Sequence, residues 1–299
     1  MPFIGEAIAL TTVLCWTVSV QFFEAASKKV GATPVNIIRI STALILFSLY
    51  MLFTQGCIVP TGFPIRSWFL LSLSGIIGFF LGDICLFKAL VENGPRITLL
   101  IFSLSAPMAA IIGWFFLGET YTGCQWSGML VTLAGVGLVI LEKNGVDNKR
   151  SVSWPGLLFG LGAMVGQAVG YVLSKAGMLT PTGYLPAFPA TQIRALAAFV
   201  CFLAFLTLGQ KWGPVFTAVK NKRAVALTAT GAVVGPFIGV SLSLLTLQYL
   251  STGVASTFLS LTPVAIIPFS IFLYKETVSL RAFAGAVIAV TGIGLLMMI

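Results

Sequence analysis

Ionisable side chains that could take part in chemistry are scarce, and one of them stands inside a long apolar stretch. Asp83 is the only acid placed well within such a stretch, where a carboxylate costs about 3 kcal/mol unless it is paired or hydrated. Arg39 lies at a similar depth in another stretch. Three roles are therefore open: Asp83 pairs with Arg39, Asp83 binds the amino group of a solute or a proton, or Arg39 extends toward lipid headgroups.

Two prolines also interrupt apolar stretches at matching points. Pro107 and Pro263 each fall about ten residues into a stretch, and a proline removes a helix hydrogen bond. We interpret both as helix-break hinges, since breaks at corresponding positions in two halves of a chain mark solute sites in membrane carriers. An ordinary packed kink is the alternative. Nearby hydroxyl residues that would answer freed carbonyls or a solute are Ser103, Ser105, Ser260 and Thr262.

A third group of residues has the make-up of a small-molecule pocket, in which aromatic side chains surround a few polar groups. Trp16 and Tyr171 occupy matching positions under a shift of 155 residues. Packing against lipid or within the core is the alternative for each. Candidates to join them are Gln167, Gln192, Gln248 and Tyr249. The predicted solute-binding residues are Trp16, Arg39, Asp83, Ser103, Ser105, Gln167, Tyr171, Tyr249, Ser260 and Thr262.

The sequence lacks the residues of common catalytic and metal sites. It has no histidine, and its five cysteines are far apart without a C-x-x-C pair, so neither a histidine-based triad nor a zinc site is expected. No acids stand at metal-ligand spacing, and no G-x-x-x-x-G-K-[ST] loop is present. We therefore predict no enzyme activity, no metal and no cofactor. A membrane-embedded enzyme is the remote alternative.

The elements that must position these residues are membrane-spanning helices. Of the 299 residues, 58% are hydrophobic and only 8% are charged, which is too little polar surface for a soluble globule. Ten stretches reach the roughly 20 apolar residues that a helix needs to cross a bilayer. We predict an all-α integral membrane fold with ten transmembrane helices at residues 4–22, 34–54, 67–89, 97–117, 123–141, 154–174, 188–208, 224–247, 253–273 and 281–299.

The basic residues predict which side of the membrane each gap faces. Thirteen of the 17 Lys and Arg residues fall in gaps or at span ends on one side, and short loops rich in these residues stay in the cytoplasm. Both termini are therefore predicted on the non-cytoplasmic side of the cell (inner) membrane, in a multi-pass arrangement. The net charge of +9 is explained by these topology signals. We expect the lipid bilayer as a partner, and no nucleic acid.

The chain repeats itself at a shift of about 155 to 157 residues. Pro34 and Arg39 recur as Pro189 and Arg194, whereas Asp83 has no acidic counterpart. Each half has five predicted helices, an odd number, so the second half enters the membrane in the opposite direction and the repeat is inverted. The predicted divisions are a first five-helix repeat at 1–142, a cytoplasmic linker at 143–153 and a second five-helix repeat at 154–299.

Several of these features together resemble one known family. Each half has a proline late in a hydroxyl-containing segment, then a Gly-Glu or Lys-Glu pair, then a glycine-rich last helix. The segments are Leu104-Ser105-Ala106-Pro107 with Gly118-Glu119, and Leu261-Thr262-Pro263 with Lys275-Glu276. In this order they are similar to the drug/metabolite transporter superfamily, in particular its EamA-type amino-acid and metabolite exporters. The resemblance covers nearly the whole chain and implies a carrier fold, while naming no cargo.

These observations predict a secondary transporter for a small-molecule solute that works by alternating access. Only Arg39 and Arg194 lie inside spans, so a neutral or zwitterionic solute fits better than a phosphorylated one. The resemblance implies an amino acid or related metabolite as cargo and export as the direction. Exchange of phosphorylated metabolites or nucleotide sugars and efflux of cationic drugs are alternatives. A channel is disfavoured, since no carbonyl filter motif is present. The sequence sets no oligomeric state.

Overall fold

The computed structural model describes residues 3–141, 153–274 and 279–297. Nearly all of these residues are helical, and a short hairpin joins two of the helices. The predicted linker falls outside the described residues except for Ser153, and the Lys275-Glu276 pair lies outside them as well.

The first half folds into α-helices interrupted by one π-helical segment. Its elements are α1 (Ile4–Val30), α2 (Ala32–Gln55), α3 (Ile65–Ser74), the first π segment (Gly75–Leu81), α4 (Gly82–Ser103), α5 (Ser105–Leu117) and α6 (Gly123–Ile140). α4 is kinked at Gly94, whose φ of 73° is open to glycine but strained for other residues. The kink separates two apolar stretches, Ile65–Gly94 and Ile97–Leu117.

The second half, as far as it is described, follows a similar plan. Its elements are α7 (Trp154–Met178), β1 (Leu179–Thr180), β2 (Gly183–Tyr184), α8 (Ala187–Leu208), α9 (Trp212–Lys220), α10 (Lys222–Ala232), the second π segment (Val233–Gly239), α11 (Val240–Tyr249), α12 (Thr252–Leu259), α13 (Thr262–Tyr274) and α14 (Leu280–Leu296). β1 and β2 pair antiparallel. Pro236 lies in the second π segment and has no N–H to donate, which favours a departure from α-helical bonding there.

By length and composition, eight of the described helical stretches are apolar enough to cross a membrane. They are Ile4–Val30, Ala32–Gln55, Ile65–Gly94, Ile97–Leu117, Gly123–Ile140, Trp154–Met178, Ala187–Leu208 and Lys222–Tyr249. Two shorter apolar helices, Thr252–Pro268 and Leu280–Leu296, follow. The all-α class with long apolar helices is confirmed, and the count of ten crossings stays a prediction.

Two helical features differ from the prediction. α1 continues to Val30 instead of ending near residue 22, and an ion pair of 2.6 Å between Glu24 and Lys28 stabilises its polar end. α9 lies in a gap that was predicted as a loop. Trp212 and Phe216, four residues apart on α9, stack with ring centroids separated by 5.8 Å.

The helix breaks precede the two prolines rather than falling at them. α5 begins after a turn at Leu104, which places Pro107 in its first helical turn. A matching turn follows Leu259 and places Pro263 in the first helical turn of α13. A proline there removes no helix hydrogen bond, because its N–H would have no partner within the helix. The helix breaks thus lie in the turns just before Pro107 and Pro263, and the role of the prolines as hinges stays a prediction.

Helices of one half pack mainly against helices of the other. α1 lies against α10, the second π segment and α11, while α7 lies against α3, the first π segment and α4. Glycines allow close approach: a Cβ atom at Gly170 would lie 3.3 Å from the Gly78 Cα, and one at Gly166 would lie 3.2 Å from the Gly82 Cα. The two halves therefore interlock rather than lying side by side.

Candidate functional site

A cavity of about 360 Å³ lies where the two halves meet, and this volume is in the range of small-molecule sites. Its walls come from α1, α2, the first π segment, α4 and α5 of the first half, and from α7, α8, the second π segment, α11, α12 and α13 of the second. The aromatic rings on the wall are those of Trp16, Phe23, Phe47, Phe79, Phe102 and Tyr171. Both halves are needed to form the cavity.

Most of the predicted solute-binding residues lie on the cavity wall. They are Trp16, Arg39, Asp83, Ser103, Ser105, Gln167, Tyr171, Ser260 and Thr262, and the hinge residue Pro263 lies there as well. Their side chains come from six different elements and the turn after α12, so the fold brings together residues that are far apart in the sequence. Their contact with a solute stays a prediction.

Three hydroxyls on the wall satisfy nearby carbonyls. Ser103 and Ser260 each donate a hydrogen bond of 2.7 Å to the carbonyl three residues earlier. Thr262 donates one of 3.0 Å to the carbonyl of Leu259, which is one of the two roles expected for it. Each hydroxyl oxygen keeps lone pairs that can accept a hydrogen bond from a solute.

Two predicted residues lie away from the cavity. Tyr249 is 56% exposed at the end of α11, and α11 contributes to the wall only near its beginning, at Val240. Pro107 lies on α5, whose first residue, Ser105, is the part that reaches the wall. Neither residue lines this cavity, and the roles of Tyr249 in solute binding and of Pro107 as a hinge stay predictions.

The glutamines Gln192 and Gln248 also have other roles. Gln192 donates a hydrogen bond of 2.8 Å to the carbonyl of Ile58, in the segment after α2. Gln248 donates one of 2.9 Å to the carbonyl of Leu185, in the segment after β2. Both side chains hold connecting segments against the helices, so of the three glutamines considered for the pocket Gln167 is the one on the wall.

Asp83 and Arg39 form an ion pair on the cavity wall. Arg39 Nη2 lies 2.7 Å from Asp83 Oδ2, and the two side chains are 24% and 21% exposed. Asp83 sits in the first turn of α4, directly after the first π segment. The Arg39 guanidinium also lies over the Phe23 ring, 5.5 Å from its centroid. Of the three roles left open by the sequence, the ion pair is confirmed.

Arg194, the counterpart of Arg39 in the second half, is held differently. It is 1% exposed, and its guanidinium lies over the Phe79 ring, 4.3 Å from the centroid. Its Nε and Nη1 atoms have no hydrogen-bond partner among the described residues. A desolvated cation–π contact contributes about 2 kcal/mol, which is less than the several kcal/mol that removing an ion from water costs. Arg194 is therefore an incompletely compensated cation.

The sequence analysis missed much of the aromatic wall. Phe47 lies eight residues after Arg39, and Phe79 lies four residues before Asp83. These spacings are close to one or two helical turns, so each phenylalanine shares a helix face with a predicted residue. Following each candidate along its own helix face would have found them.

A second polar cluster joins the two halves outside the cavity. Glu119, between α5 and α6, lies 2.8 Å from Lys175 Nζ near the end of α7. Its carboxylate accepts hydrogen bonds from the Tyr121 hydroxyl at 2.6 Å and from the backbone N–H and hydroxyl of Thr252, at the start of α12. Lys175 also donates to the carbonyl of Leu250 at 2.7 Å. In the sequence Glu119 stood out only as part of the family motif.

The pKa values in this cluster follow from its contacts. Burial alone would raise the pKa of Glu119, but the Lys175 ammonium and the hydrogen bonds from Thr252 and Tyr121 outweigh it and hold the pKa below its ordinary value. Burial, together with the hydrogen bond to Glu119, raises the pKa of Tyr121 to about 12. At neutral pH the carboxylate is thus charged and the phenol is a hydrogen-bond donor.

The described residues contain no group of three or more His, Cys, Asp or Glu side chains that could hold a metal ion. All five cysteines are free thiols. The polar groups on the cavity wall are instead hydroxyls, an amide and one ion pair. Such groups orient a bound molecule by hydrogen bonds and charge.

The model of the EamA-like transporter family matches the chain twice, over residues 3–141 and 154–298. The chain therefore belongs to the EamA-like transporter family, and it is a multi-pass membrane protein whose family transports small solutes. A solved crystal structure of a protein shares 17% sequence identity with it and superposes with a TM-score of 0.71, covering 98% of this chain and 96% of its own. At that identity the likeness shows a shared fold alone. No curated protein matches the chain.

Proposed function

We propose that this protein is a secondary transporter that moves a small neutral or zwitterionic organic solute, an amino acid or related metabolite, by alternating access. The observation that carries the proposal is the cavity of about 360 Å³, whose wall is built by both ranges that match the family. A solute site between two repeats is the arrangement in which rocking of one repeat against the other exposes the site to either side of the membrane.

The proposal includes ten crossings and an inverted relation between the two repeats. Each matched range holds five apolar helical stretches. An odd number of crossings reverses the direction in which the next repeat enters the bilayer. The bias of Lys and Arg toward one set of gaps supports placing both termini on the non-cytoplasmic side of the cell membrane.

The character of the wall favours an amino acid over a phosphorylated solute. Aromatic and aliphatic side chains dominate, and Arg39 is engaged by Asp83. A phosphate group would need several basic groups with vacant donors. Export as the direction of flux rests on the family branch that the sequence motifs resemble.

The test is uptake by vesicles that contain the purified protein. Labelled amino acids, a sugar phosphate and a cationic dye are supplied with and without a pH gradient, and protein-free vesicles are the control. We expect saturable uptake of one or more amino acids above that control. Failure of every probe in the panel would contradict the proposal, while uptake of the sugar phosphate or the dye alone would favour the alternative cargoes.

A variant pair tests whether the cavity is the route. Trp16 lies on the wall and Tyr249 lies away from it, so Trp16→Leu should lower uptake about tenfold, as expected for the loss of an aromatic contact of about 1.4 kcal/mol. Tyr249→Leu is the matched control and should stay within about twofold of the unaltered protein, because exposed substitutions have small effects. Equal uptake by the two variants would show that the solute takes another path.

A further inference from the structure

Beside the cavity, Arg194 carries a charge for which the described residues supply no acidic partner. Its Nε and Nη1 atoms are buried without a hydrogen-bond acceptor there. The repeat explains why: the position of Asp83, which compensates Arg39, falls at Val240 or Ser241 in the second half. The described part of the chain thus provides a carboxylate partner for Arg39 and none for Arg194.

The guanidinium of Arg194 lies directly behind the cavity wall. A Cβ atom at Gly78 would be 3.5 Å from Arg194 Nη2, and one at Gly170 would be 3.7 Å from it. The guanidinium is therefore held between these two glycines. The residues that follow them, Phe79 and Tyr171, both line the cavity. The Phe79 ring therefore contacts the guanidinium and also lines the cavity.

Two further observations relate Arg194 to the cavity. Thr191 and Ala195, three residues before it and one after it on α8, line the cavity, so Arg194 lies on or beside the same helix face. The Tyr171 hydroxyl is buried, lies close to the Gln167 side chain four residues earlier on α7, and interacts electrostatically with the guanidinium. A phenol on the cavity wall and a guanidinium with unpaired N–H groups therefore lie close together.

We propose that Arg194, together with Tyr171, binds the carboxylate of the solute, so that the protein selects carboxylate-bearing cargo. The inference rests on the proposed transport function and specifies its substrate class. A planar guanidinium suits a carboxylate because its N–H groups can bind both oxygens at once. This contact requires the Phe79 side chain, which stacks on the guanidinium and lines the cavity, to rotate aside. The carboxylate of the solute then compensates the charge of Arg194, as the Asp83 carboxylate compensates that of Arg39.

The experiment compares two probes that differ in one group. L-phenylalanine and L-phenylalaninamide share the ring and the amino group, but the amide has no carboxylate. Uptake of each by vesicles is measured for the unaltered protein, Arg194→Met, Arg194→Lys and Arg66→Met. Arg66 is an exposed arginine outside the cavity, so its variant controls for the loss of one arginine. Elution as a single species in detergent shows which variants fold.

The unaltered protein and Arg66→Met should take up phenylalanine about tenfold or more better than the amide, as expected for a charge-assisted hydrogen bond. Arg194→Met should lose that preference by losing phenylalanine uptake, while uptake of the amide stays within about twofold. Arg194→Lys keeps the charge without the planar group, so its preference should be reduced; it decides the matter if Arg194→Met does not fold.

Equal uptake of both probes by the unaltered protein, or an unchanged preference in the Arg194 variants, would overturn the inference and leave the transport proposal standing. If the unaltered protein takes up neither these probes nor any other amino acid, the transport proposal fails with it.

Discussion

The regions around Arg39 and Arg194 occupy equivalent places in the two halves, yet they treat the same side chain in opposite ways. Arg39 is partly exposed to the cavity and bound to Asp83. Arg194 is almost fully buried, stacked on Phe79 and short of acceptors. The comparison teaches that a duplicated backbone need not carry duplicated chemistry. Arg39 has an acidic partner on the cavity wall, whereas the described residues give Arg194 none.

The largest effect is expected from a substitution that makes the surroundings of Arg39 resemble those of Arg194. Asp83→Asn leaves Arg39 without its carboxylate, and we expect uptake by vesicles to fall more than about tenfold, because an uncompensated cation then faces the cavity. The protein should still insert into the membrane. Glu24→Gln is the matched control, since it removes an exposed acid whose pair with Lys28 lies at the end of α1. Unchanged uptake by Asp83→Asn would remove Asp83 from the mechanism.

The stability of the purified protein separates the two arginines in a second way. Arg39→Met leaves Asp83 unpaired in a partly buried site and should lower the free energy of unfolding by about 2 kcal/mol, less than for a fully buried pair. Arg194→Met removes a buried charge without leaving an acid unpaired among the described residues. The free energy of unfolding should therefore be unchanged or higher. Thermal unfolding in detergent measures both. A larger loss in Arg194→Met would mean that Arg194 has a partner in the protein itself.

The smallest effect on stability is expected for the cluster of Glu119 and Lys175. Because this cluster lies outside the cavity, it serves as a reference for the two arginine variants. Because the folded pKa of Glu119 lies below its ordinary value of 4.5, the contact stabilises the protein above that pH, and the contribution is lost as the pH falls through the folded pKa. Glu119→Gln should unfold at a lower temperature than the unaltered protein at pH 7, by an amount equivalent to about 1 kcal/mol. The two curves should converge once the pH has fallen below the folded pKa of Glu119. A difference in unfolding temperature that persists at that low pH would show that lost packing causes the effect.

The apolar helices and the Arg39–Asp83 pair could be predicted because each depends on a rule that acts locally. A helix in lipid must be long and apolar whatever surrounds it. A carboxylate in such a helix needs compensation, and Arg39 was the basic residue at matching depth. Neither inference required knowledge of how the helices pack.

Other features depend on packing and could not be read in this way. The contact between Glu119 and Lys175 joins residues 56 positions apart, and it forms only because α7 and α12 meet beside the end of α5. Tyr249 shared the composition of a pocket residue, but its place on α11 carries it to the surface. The π segments differ from α-helix by a small change in bonding that hydrophobic periodicity does not resolve.

The first π segment determines which way Asp83 points. A π-helical turn accommodates an additional residue compared with an α-helical turn, and one residue corresponds to a rotation of about 100° around the helix axis. The segment Gly75–Leu81 ends two residues before Asp83. If the same seven residues wound as regular α-helix, the additional rotation would swing the Asp83 carboxylate around the axis and away from Arg39.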